Sequence, residues 1–252
     1  MAAVLLGLAT LALVPPVVPN PPPNQEAIWA KKGVVFRAGC YNSREQCSPL
    51  QITSPDGGKF VQVSYRTDPV DSGIRMASLV VSASGRKLGR IDLVGTVEDE
   101  ILWSPDSRAF FINGNNNADA DDHVALYRLD ETELRRSNVT KQVETDMTRS
   151  FPLCRATNAM EDCEWLTKHP GQYIGVVALD WVGGSSGVVL MGEIPCTSAM
   201  GGIMCQVLGY EVAVPDGTIL RRMEPREFAA RWQPSMAWKF NLPDPPSYQD
   251  GK

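Results

Sequence analysis

One four-residue turn recurs at a fixed interval and limits the possible folds of this 252-residue chain more than any other feature. Ser54-Pro55-Asp56-Gly57 returns 50 residues later as Ser104-Pro105-Asp106-Ser107, and self-similarity at such a period marks a repeated supersecondary unit. The turn has a mechanism. Proline presets φ at the second position, the aspartate accepts hydrogen bonds from nearby backbone N–H groups, and glycine or serine tolerates the exit, so the chain reverses tightly between strands. Each copy leads into a strand. Phe60-Val61-Gln62-Val63-Ser64-Tyr65 places Val61, Val63 and Tyr65 on one face, while Ala109-Phe110-Phe111-Ile112 is apolar on both, as in a sheet packed between two others.

Further on, Leu79 to Leu88 and Leu126 to Leu134 both read as strand, polar turn, strand, which is a hairpin. A third, degenerate copy follows. Trp181-Val182-Gly183-Gly184-Ser185-Ser186-Gly187 stands where Trp103-Ser104-Pro105-Asp106-Ser107 stands, Val188-Val189-Leu190-Met191 is its strand, and Tyr210 to Leu220 is its outer hairpin, with the Cys196 to Cys205 loop inserted between.

At these residues the chain resembles the TolB-type β-propeller repeat, also found in tricorn-like and dipeptidyl-peptidase-like propellers. Blades of that type carry a Trp-Ser-Pro-Asp-Gly turn, a strand, a variable loop, and a strand ending in an Asp-Gly-like turn. Residues 103 to 135 match best; the resemblance covers about 50 to 150 well and 175 to 222 loosely. It implies an all-β fold, a small or incomplete propeller of three to four antiparallel blades, and no particular activity. The departures are a missing tryptophan before Ser54, Ser107 in place of glycine, and the loss of Pro-Asp from the third copy.

Three blades do not close into a ring, so something must cover the ends. The expected covers are Ile28-Trp29 with Val34-Val35-Phe36 and Trp232 to Phe240, combined into a fourth, irregular blade, or else a second chain sharing an edge. Val143 to Lys168 reads as a long insertion, a loop fixed by a disulfide. Pro225 to Trp232 has proline at a first-turn position and Phe228 four residues before Trp232, which predicts a short C-terminal helix. The domain expectation is a leader and Pro-rich spacer over 1–24, a propeller-like domain over 25–240 and a polar tail over 241–252.

Compartment follows from the leader and the cysteines. Ala2 to Val14 is an uncharged apolar run, too short for a span of roughly 20 residues but of h-region length, although no Lys or Arg precedes it. Cys40, Cys47, Cys154, Cys163, Cys196 and Cys205 form three neighbour pairs, which fits an oxidising compartment, periplasmic or secreted. Among fifteen connectivities the local one closes the shortest loops, each worth at most about 2.5 kcal/mol. Six reduced buried thiols are the bland alternative; structural zinc wants CxxC-like spacing, which is absent.

Candidate chemistry is sparse. A formal charge of −5 gives no attraction for nucleic acid, so no nucleic-acid partner and no membrane span are expected. His123 and His169 are the only histidines. Gly183-Gly184-Ser185-Ser186-Gly187 matches the G-x-S-x-G elbow, but β-branched strand sequence follows it and both histidines precede it, so a glycine-rich turn is the better reading. The loop Asn113 to His123 sets hard oxygen donors at alternate positions. Asn115, Asn117, Asp119 and Asp121 are the calcium candidates, against a solvated loop, and no other cofactor is expected. Asn138-Val139-Thr140 fits a glycosylation acceptor. Glu98-Asp99-Glu100 and Arg135-Arg136 read as solvated turn charges. The tryptophans could stack on sugars, yet Trp103 and Trp181 hold equivalent positions and more naturally pack between blades.

The leading functional expectation is an exported, non-enzymatic protein-interaction module that presents its blade loops, the 143 to 168 insertion and the Asn/Asp loop to a protein partner. The alternative is a secreted hydrolase or carbohydrate-active enzyme using a carboxylate pair such as Asp119 and Asp122 in the propeller mouth. A purely structural envelope protein is a third reading.

Overall fold

The computed structural model describes residues 27–41, 49–67, 74–93, 98–114, 124–151, 168, 174–194 and 206–237. Fourteen strands and two α-helices lie in them, arranged as three antiparallel sheets. The first sheet holds β2 (Gly39–Tyr41), β3 (Leu50–Thr53), β4 (Lys59–Thr67), β5 (Ile74–Ala83) and β6 (Arg86–Asp92), with β2 and β6 both paired to the long β5. The second runs β1 (Val34–Arg37), β7 (Glu98–Trp103), β8 (Ala109–Asn113), β9 (Val124–Leu129), β10 (Leu134–Ser137). The third is β11 (Gly175–Val182), β12 (Gly187–Ile194), β13 (Gln206–Ala213), β14 (Ile219–Met223).

The sheets stack in chain order, because side-chain alternation divides each strand between two cores. Val61, Val63, Leu79 and Val81 from the first sheet meet Phe110, Ile112 and Trp103 from the second. Phe111, Ala109 and Leu126, on the other face of the second sheet, meet Val176, Ala178, Val188, Leu190 and Tyr210 of the third. All five residues of β8 are buried, as the two-sided apolar pattern requires. The other face of the third sheet, with Val177, Leu179, Val189, Met191 and Val207, lies under Trp29, Phe228 and Met236. That cover comes from α2 (Pro225–Trp232), whose proline stands at its start, and from the segments around Trp29 and Met236. Ala30 bridges Met236, Lys31 N–H donates to the Ser235 carbonyl and Ala237 N–H to that of Trp29, both at 2.8 Å. The Phe228 ring occupies the space a Cβ on Gly209 would need.

Three expectations are corrected. Among the described residues the N-terminal and C-terminal segments meet only in an isolated bridge and form no fourth sheet. Val34–Arg37 instead adds to the second sheet, Val34 opposite Ile101 and Arg37 opposite Glu98, because the edge of β7 offers unpaired backbone groups; Ile28, Trp29 and the C-terminal helix roof the third. The insertion read as a loop from 143 to 168 begins as a helix, α1 (Lys141–Ser150), since Val143 and Met147, one turn apart, bury in the core between the second and third sheets. Its remaining residues lie outside the described ones, apart from Phe151 and Lys168. Glu98-Asp99-Glu100 is not a solvated turn but the start of β7, with Asp99 and Glu100 buried.

Among the described residues no helix is long and apolar enough to cross a membrane. The leader, the cysteine side chains, His123, His169, Trp165, Trp238 and the tail lie outside the described residues and side chains.

Candidate functional site: turn seams, a buried carboxylate and two grooves

Each Ser-Pro-Asp turn is locked internally in the same way. The hydroxyls of Ser54 and Ser104 donate to Asp56 and Asp106, both at 2.6 Å, and accept from Lys59 N–H at 3.0 Å and Ala109 N–H at 2.9 Å. Lys59 beside Asp56 holds that carboxyl below the usual carboxylate range, helped by Ser54 and Gly58 N–H. For Asp106 partial burial pushes the other way, and the bonds from Ser104, Arg108 N–H and Ser185 outweigh it.

The same turns join the sheets. Asp56 N–H donates to Ser107 Oγ at 3.0 Å, and Asp106 N–H to Ser185 Oγ at 3.2 Å. Ser107 and Ser185 both have positive φ, 60° and 88°, and Gly57, at the position of Ser107 in the first turn, has 71°. The serine that departs from the repeat pattern is therefore the acceptor for the preceding sheet's turn. The two tryptophans face the same way: Trp103 Nε1–H donates to the Ile52 carbonyl at 3.3 Å, and Trp181 stacks on Phe111 with ring centroids 5.7 Å apart. Sugar stacking on these two is excluded by burial, 6% and 8% exposed. Gly183–Ser185 is a short 3-10 turn leading into β12, not a nucleophile elbow.

Sequence reasoning missed the polar junction at the inner strands. Glu100, wholly buried, accepts from Ala30 N–H at 2.9 Å, Ile28 N–H at 3.1 Å, Trp29 N–H at 3.3 Å and Asn113 Nδ2–H at 3.1 Å. Burial pushes its carboxyl above its ordinary value, and the four donors oppose that. Asn113 also pairs both ways with the backbone of Ala178, each bond 2.8 Å, at the bulge of β11. One side-chain amide thus ties the second sheet to the third. The signal available in sequence was an acid pair inside an otherwise apolar strand, Asp99-Glu100-Ile101-Leu102-Trp103.

Two grooves lie among the described residues. The first, about 580 Å³, lies between the first and second sheets beside the turns; Lys59, Arg108 and Arg128 with Asp130 and Glu131 rim a floor that includes Leu88 and Leu129. The second, about 450 Å³, runs between α1 and the edge strand β14, lined by Lys141, Gln142, Thr145, Asp146, Arg149 and Ile219. Asp146 there accepts from Tyr210 OH and Arg222 Nε–H, both at 2.9 Å. Burial first, and then Asp146, raise the Tyr210 phenol. Arg135 and Arg136 are exposed as expected, though in β10.

Of the sequence candidates, the structure brings together Ser54, Asp56, Ser104, Asp106 and Trp103, with Pro55 and Pro105 in the turns. Asn115, Asn117, Asp119, Asp121 and Asp122 lie outside the described residues, as do Cys47, Cys154, Cys163, Cys196, Cys205 and the side chain of Cys40. Among the described residues no three His, Cys, Asp or Glu side chains converge as a metal set. Asn138, the glycosylation candidate, is exposed, and its Oδ1 accepts from Thr140 N–H and Lys141 N–H at 3.2 Å ahead of α1. Compared with known proteins, the chain matches no family model, no curated sequence and no solved structure.

Proposed function

We propose that the chain is an exported, non-enzymatic protein-interaction module whose three sheets are TolB-type blades of a small propeller. The blade reading is supported by the turns: both seams use the same Asp N–H to Ser Oγ bond and a tryptophan at the same repeat position, which is what homologous stacked units produce.

The observation that carries the binding reading is the groove between the first two sheets. Its rim holds three cations and two acids over an apolar floor, a mixture suited to a protein segment bearing both charges, because rim charges set partner choice and encounter rate. Arg108, Arg128 and Glu131 are exposed, so reversing them leaves the fold intact.

The test is a pull-down from envelope extract under non-reducing conditions, read by mass spectrometry, with the wild-type chain and an Arg108→Glu/Glu131→Lys variant side by side. The reading expects a partner held by the wild type and depleted at least tenfold by the charge reversal. Equal recovery by both chains, or turnover of a glycoside or ester substrate by the purified chain, overturns it.

A further inference from the structure

We propose that the outer edge of the third sheet, β14, together with the facing surface of α1, binds an extended acidic segment of a partner protein by strand addition. This rests on the interaction-module reading and names a second site and its ligand chemistry.

Three observations converge on that edge. First, β14 ends its sheet, so one side of its backbone has no strand against it among the described residues. Gln142 on α1 already imitates such a strand there, its Oε1 accepting from Ile219 N–H at 3.2 Å. A peptide laid along the edge extends that single bond into a ladder.

Second, Leu220 is 61% exposed and is the one large apolar side chain so exposed among the described residues. It is the extra residue of a bulge, since Glu211 faces Arg221 while Val212 faces Ile219. Bulges re-aim side chains. The extra residue of the matching bulge in the first hairpin, Leu88, packs against the core between the first and second sheets. At the matching bulge of the third hairpin Leu220 is left exposed among the described residues, beside the free strand edge and open to a side chain of a segment laid along it.

Third, the charge is unbalanced in one direction. Arg222 is paired with Asp146 and Glu224, and Arg221 with Glu227. Lys141 and Arg149 line the groove, exposed, with no ion-pair partner among the described residues. Eight positions apart on one helix, they stand about 12 Å from each other along its axis. Glu144, on the same helix, does not line the groove. Two cations at that spacing match carboxylates about four residues apart on an extended strand.

The experiment is fluorescence anisotropy on the full chain, with a labelled eight-residue peptide alternating glutamate and valine as the probe. Saturable binding is expected, weakening as salt rises, and weakening about tenfold in Lys141→Glu/Arg149→Glu and in Leu220→Ser, variants of exposed residues whose thermal melts stay at the wild-type value. N-methylation of alternate peptide amides should abolish it, because the ladder then lacks donors. Binding of the lysine counterpart as tight as the glutamate probe, indifference to the variants or to N-methylation, or no saturation below 1 mM probe overturns the proposal. Each of these leaves the broader reading standing if Arg108→Glu/Glu131→Lys still loses its partner in the pull-down; loss of both removes both.

Discussion

At one end of the stack the outer face of the third sheet carries Val177, Leu179, Val189, Met191 and Val207 beneath Phe228, Trp29 and Met236. At the other, the outer face of the first sheet carries Gln51, Phe60, Gln62, Ser64, Ser78, Val80 and Ser82, and none of these belongs to a hydrophobic cluster of the described residues. The turns differ in the same sense. In the second copy Trp103 and Ser107 reach back to the first sheet and Asp106 reaches forward to the third. The first copy lacks the backward-facing pair, having Thr53 and Gly57 in those places, and the third lacks the acid that locks the other two turns internally, having Gly184. Degeneracy in the first copy is therefore directional: it lacks the two side chains by which the second copy addresses a preceding sheet, and no sheet precedes it among the described residues.

The largest expected effect lies at the covered end. Phe228→Ala removes a wholly buried ring and should cost about 3–5 kcal/mol in urea unfolding. Val80→Ala, half-buried on the bare face, should cost about 1 kcal/mol or less. Equal costs would break the comparison, showing that the first sheet is roofed as heavily as the third.

The N-terminal strap comes next. Glu100→Ala leaves the N–H groups of Ile28, Trp29 and Ala30 and one donor of Asn113 without their acceptor, a loss of about 3 kcal/mol. The carboxyl also makes stability depend on pH. Its pKa is higher folded than unfolded, so its contribution is complete below the ordinary value of 4.5 and is lost as pH rises through the raised folded value. Relative to Glu100→Gln, wild-type stability should fall across that window, by at most about 1.4 kcal/mol per pH unit for one proton. Parallel pH profiles for the two chains would place the charge penalty elsewhere.

What was legible in the sequence was local. The Ser-Pro-Asp turns, the two-sided β8 and the helix at Pro225 follow from chemistry within a few residues, and each stands where it was expected. What was not legible depended on distant partners. Val34–Arg37 reads as a strand, but only the free edge of β7 decides that it joins the second sheet. The segment from Lys141 has just two apolar residues at helical spacing among Thr, Glu and Asp, so the core that receives Val143 and Met147 decides its conformation. Glu100 looked solvated because acids usually are; three backbone amides from residues 70 to 72 positions away made its burial tolerable.

The smallest expected effects test the directional seam itself. Ser107 sits at φ 60° and is wholly buried, so its hydroxyl is the compensation for a backbone conformation that favours glycine. Gly57→Ser imposes the same conformation where nothing lies within 4 Å to return a bond, and should cost about 1–2 kcal/mol. Ser107→Ala keeps the conformation and deletes the acceptor for Asp56 N–H, a loss of about 1 kcal/mol, whereas Ser107→Gly also relieves the backbone and should come out near zero. Chemical denaturation of the three variants separates the terms. If Ser107→Gly is as costly as Ser107→Ala, the hydroxyl outweighs the backbone and the seam is stronger than one hydrogen bond. If Gly57→Ser costs nothing, a group outside the described residues meets the first turn, and the first sheet is not the bare end of the stack.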